Sequence, residues 1–97
     1  MVSELMSRVE PSDNELKAEI MYRLLRKGCW GNVYLLVDAL VKWLGNMIKR
    51  NGKRVRKLVD ELVQDGYVGR YKKGETIYLN FARRNEIMKY IEQNLRS

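Results

Sequence analysis

Lys49, Arg50, Lys53, Arg54, Arg56 and Lys57 fall within nine residues that contain no acidic side chain. The 97-residue chain has a formal net charge of +7, so almost all of the excess sits in this one stretch. A local cationic patch of this kind is the electrostatic footprint of a surface that grips a polyanion. A smaller basic group follows at Arg70, Lys72 and Lys73, set against Glu75. Asn51, inside the first patch, suits either a helix cap or a phosphate contact.

Catalytic chemistry finds little to work with. The chain has no histidine, which removes the commonest general base and the commonest metal ligand. With Cys29 as the one cysteine, zinc would have to be held by carboxylates, which is not a structural-site pattern. No glycine-rich phosphate loop is present. Asp60 and Glu61 read as solvated helix surface rather than as an acid/base pair. The expectation is a non-enzyme with no cofactor and no metal. A lone cysteine also fits a reducing compartment, where Cys29 is an inert thiol rather than a redox sensor.

The elements that must position the charges come next. Apolar residues make up 45% of the chain and charged residues 32%, which describes one globular domain over 1–97. Such a chain buries roughly 60–65% of its unfolded surface, enough for one small core. No apolar stretch is long enough to span a bilayer, and residues 1–10 lack a signal-peptide pattern, so a cytoplasmic protein is expected.

Val2, Leu5, Met6 and Val9 have helical spacing and predict a short helix over 2–10. After Pro11, Ser12 and Glu15 have the spacing of a capping box. Leu16, Ile20, Leu24 and Leu25 then line a helix that runs to about Lys27, with Gly28 as its stop. Residues 33–37 are an apolar run that fits a short buried strand or the first turns of a longer helix. In the strand reading Asp38 caps a helix over 39–48, with Ala39, Leu40, Trp43, Leu44 and Met47 inward.

Val55, Leu58, Val59, Leu62 and Val63 form a one-sided stripe on a helix over about 52–65. Its first turn is basic, which opposes the helix dipole at a cost of a few tenths to about 1 kcal/mol per charge. That cost suggests another demand at the same place. Residues 67–71 and 76–80 predict a hairpin around Gly74. A final helix over 83–95 carries Ile87, Met88, Ile91 and Leu95. Trp30 and Trp43 read as core or dimer contacts, and Tyr67, Tyr71 and Tyr78 as packing across the hairpin.

The resulting class is α+β and mostly helical. From Val55 to Val68 the sequence VRKLVDELVQDGYV resembles the recognition helix of winged helix-turn-helix domains running into the first wing strand. The basic hairpin after it resembles the wing. The likeness spans about residues 13–80 and is similar to small archaeal and bacterial transcription regulators of MarR-like or ArsR-like type. It implies a three-helix core, a two-stranded wing, and flanking helices at both ends.

It also implies double-stranded DNA as partner, with the second helix of the motif in the major groove. Arg54 and Arg56 then suit guanine edges, because arginine pairs bidentately there. Lys49, Arg50, Lys53 and Lys57, with Asn51 if it is not the cap, suit phosphates. Arg70, Lys72 and Lys73 suit the flanking backbone or minor groove. Six to nine phosphate contacts would give a log K against log salt slope of roughly −5 to −8. A homodimer through the terminal helices is expected. The competing readings are a winged helix used for protein assembly, and nonspecific nucleoid or RNA binding.

Overall fold

The computed structural model describes residues 11–44, 51–71 and 75–95. The expected helix over 2–10 lies outside them, as do Lys49, Arg50, Lys72 and Lys73.

Helix α1 (Asp13–Arg26) begins where the capping box predicts. The Ser12 amide donates to Glu15 Oε1 at 2.8 Å, and the Glu15 amide donates to Ser12 Oγ at 3.1 Å. Its end closes on Gly28, whose φ of 70° is left-handed and therefore suits glycine. The amides of Gly28 and Cys29 donate to the carbonyls of Leu25 and Leu24. This pair of bonds is a Schellman closure, and buried Cys29 packs with buried Leu24 beneath it. Burial pushes the Cys29 thiol up against the pull of Lys27, which disfavours the reactive thiolate.

The apolar run after Gly31 is strand and helix in succession. Strand β1 (Leu35–Leu36) is only two residues long, and helix α2 (Val37–Leu44) starts directly after it. A fully buried strand is therefore not what forms, since Val33 and Leu36 are 48% and 53% exposed while Leu35 and Val37 turn inward. Asp38 does not cap α2 but lies in its first turn. Leu40 and Leu44 are buried as expected, whereas Ala39 is exposed because the helix starts two residues early. Met47 lies outside the described residues.

Helix α3 (Asn51–Gln64) buries Val55, Leu58, Val59 and Leu62 completely or nearly so. A second Schellman closure ends it at Gly66, with φ 88°. Strands β2 (Val68–Tyr71) and β3 (Thr76–Leu79) form the expected hairpin. The sheet has a third member, because β1 pairs antiparallel with β3 and gives the order β1-β3-β2. The bond from the Val37 amide to the Glu75 carbonyl, 2.9 Å, continues that pairing into α2.

Register sorts the side chains by face. Leu35, Ile77 and Arg70 align on the core side. Leu36, Thr76 and Tyr71 align on the other, as do Gly69 and Tyr78. A Cβ at Gly69 would strike the Tyr78 ring, so glycine there lets the ring lie across the strand. Tyr34 stacks on Tyr71 at 4.6 Å and meets Tyr78 edge-on at 5.6 Å. Tyr71 and Tyr78 therefore pack on the sheet through Tyr34, whereas Tyr67, expected to join them, packs instead on Tyr90 at 5.8 Å.

A 3-10 turn (Phe81–Arg83) leads into helix α4 (Arg84–Asn94). Ile87 and Ile91 join the same core as α1, α2, α3 and the sheet, while Met88 stays exposed. Most of the stripe expected to serve a dimer is thus used within the chain. Tyr90 Oη donates to Asn14 Oδ1 at 3.0 Å and ties α4 to the start of α1. No described helix is long and apolar enough to cross a membrane.

Candidate nucleic-acid interface

The inward stripe of α3 leaves Lys53, Arg56, Lys57, Asp60 and Gln64 exposed on the opposite side. Three of the five are cations within the first two turns. Lys53 and Lys57 have no carboxylate partner among the described residues.

The arginines are placed differently from the lysines. Arg56 Nη2 lies 2.5 Å from Asp38 Oδ1 in the first turn of α2, so α2 and α3 are bridged at the rim of the exposed face. Both partners remain more than half exposed, with side chains 55% and 74% accessible, so the bridge is weak and exchangeable. Leu36, Val37, Asp38, Arg56 and Glu75 line a shallow cleft there.

Arg54 points elsewhere. Its Nη2 donates to the Pro11 carbonyl at 2.7 Å and to Asp13 Oδ1 at 2.9 Å, and its Nε reaches the same oxygen at 3.3 Å. Its side chain is 26% exposed. The guanidinium clamps the start of α1 to the start of α3 and is spent on that task. Replacing Arg54 with alanine is expected to cost about 1–2 kcal/mol, because a charge-assisted bond to a part-buried carbonyl is lost. Urea unfolding measures this. An unchanged midpoint would refute the clamp.

The acidic residues of α3 are tethers. Glu61 Oε1 accepts from Lys17 of α1 at 2.7 Å. Burial pulls the Lys17 ammonium down, but the Glu61 hydrogen bond and charge outweigh it and leave its pKa raised. Asp60 pairs with Arg70 of β2. Arg70, expected to reach outward from the wing, thus sits on the core side of the sheet and braces the hairpin against α3.

Asn51 opens α3, though its side chain lies outside the described residues. Of the ten residues expected at the interface, Lys53, Arg56 and Lys57 share one open face, while Arg54 and Arg70 are tied to neighbouring elements. None of the three pairings, with Arg56–Asp38 included, was readable from α3 alone, because Asp13, Asp38 and Arg70 lie on other elements.

No family model, curated protein or solved structure matches this chain.

Proposed function

We propose that the chain is a sequence-specific, double-stranded DNA-binding transcription regulator of winged-helix type. Helix α3 enters the major groove, and the β2–β3 hairpin is the wing against the flanking backbone. The element order supports this reading. The short helix α2 meets the longer α3, and the chain then returns as a hairpin beside them, with β1 completing a small sheet.

One observation carries the reading. Lys53, Arg56 and Lys57 share the open face of α3, directly opposite a stripe buried to 1% exposure or less at Val55, Leu58, Val59 and Leu62. A rigid helix with its cations outward and its N-terminal turns foremost is the geometry with which such motifs meet base edges. Arg56 is the base reader in this scheme, since release from exposed Asp38 costs little and frees a bidentate fork. Lys53 and Lys57 meet phosphates, together with Lys49, Arg50, Lys72 and Lys73 from the sequence-level patch. Arg54 and Arg70 orient the helix and the wing.

Competition binding at fixed salt is the test. Labelled genomic fragments, including the region upstream of the chain's own coding sequence, are titrated against bulk DNA. At least one fragment is expected to bind 10³-fold or more tighter than bulk, on the order usual for specific recognition. Equal affinity for every fragment would leave nonspecific binding and remove regulation. No binding at about 50 mM salt would remove both, since low salt favours any phosphate-driven contact. Dimerisation belongs to the same proposal, and with Ile87 and Ile91 taken into the core it rests on the sequence stripe over 2–10; sedimentation velocity showing a monomer would remove it.

A further inference from the structure

A second cationic site lies on other elements. Tyr22, Arg23 and Arg26 from the last turns of α1, Lys27 that caps it, and Trp43 from α2 line an open cavity of about 330 Å³. None of its lining residues is acidic.

Arg23 and Arg26, like Arg84 over Phe81, lie against a ring rather than a carboxylate. Arg54, Arg56, Arg70 and Arg83 each have a carboxylate partner. Arg23 instead lies 5.0 Å over the Trp43 ring, and Arg26 lies 5.7 Å over Tyr22 while donating to its hydroxyl at 3.0 Å. Stacking uses the face of a guanidinium and leaves its in-plane N–H donors available. The rings also fix the long side chains in advance, which lowers the entropy that binding would cost.

The end of α1 offers little opposition to an anion. The carbonyls of Arg23, Leu24 and Leu25 already accept bonds from the Lys27, Cys29 and Gly28 amides. The remaining helix dipole is about half a negative charge, against three full positive ones.

We propose that this cavity binds a phosphate-bearing small molecule. Two guanidinium forks and an ammonium suit the several oxygens of a phosphate group. The volume lies at the lower end of the range for small-molecule pockets, so it holds a phosphate with an organic body attached. Nothing in this assignment depends on α3 meeting DNA.

Isothermal titration with inorganic pyrophosphate and with phenyl phosphate tests it, with tryptophan fluorescence reporting Trp43. Both probes are expected to bind, and phenyl phosphate to change the emission. Arg23→Gln with Arg26→Gln is expected to weaken both at least tenfold, while Arg84→Gln leaves them unchanged. Lys27→Gln, on an exposed side chain with no packing role, gives a several-fold loss and guards against misfolding of the double variant. The absence of heat at millimolar probe, or wild-type binding by the double and Lys27 variants, overturns the proposal. Displacement of the probes by a DNA duplex overturns it too, since the source of phosphate would then be the DNA backbone.

Discussion

Replacing Lys53, Arg56 and Lys57 together by glutamine is expected to lower duplex DNA affinity about 100- to 1,000-fold at about 0.1 M salt. Each neutralised phosphate contributes roughly 0.9 to the salt slope, so losing the Lys53 and Lys57 contacts makes it shallower by about 1.8, while losing Arg56 removes a base contact. The affinity and the slope must both fall, because the two lysine contacts act through counterion release. Fold stability should barely change, since all three side chains are exposed and the buried stripe is untouched. Fluorescence anisotropy across a salt series, with a thermal melt as control, measures both. Asp38→Asn should act in the opposite sense, tightening binding by removing the carboxylate that Arg56 must leave. A triple variant that binds like the parent would show that α3 does not face the DNA.

Leu58→Ala should lose about 3–4 kcal/mol of stability. Leu58 has no solvent exposure and sits mid-helix on the inward stripe of α3. Truncation removes its burial energy and leaves a cavity that the surrounding elements only partly close. Domains of this size are stable by only about 5–15 kcal/mol, so the change is a large fraction of the total. The melting temperature should fall by roughly 12–32 °C, at about 4–8 °C per kcal/mol. Calorimetry checks the value, and a fall below about 5 °C would mean that α3 is not anchored by this stripe. The contrast separates the two faces of one helix, one holding the fold and the other proposed to meet DNA.

Much of the architecture was readable locally. The capping box at Ser12 and Glu15, the stop at Gly28 and the stripe from Val55 to Leu62 are short-range signals whose physics is contained in a few residues. The hairpin followed from its turn and its strand formers. The run over 33–37 was not resolvable, since a continuous apolar segment has no period of its own. Pairing with β3 makes Leu35 and Leu36 a strand, and the Val37 amide then bonds the Glu75 carbonyl as α2 begins. The exposed Leu36 reflects that pairing, because an edge strand has one face inward and the other in solvent.

The candidate site divides along the same line. Where the positive charge lies, and which α3 residues point away from the core, follow from composition and a helical period, both properties of consecutive residues. Which cations remain available depends on partners 18 to 41 residues away, Asp38 for Arg56 and Asp13 for Arg54. The convergence of Arg23 and Trp43 likewise needs α1 and α2 to pack. Periodicity assigns a side chain to a face of its own element. Only folding sets the distance to a charge on another element, and that distance decides whether an arginine is a clamp, a bridge or a free hand.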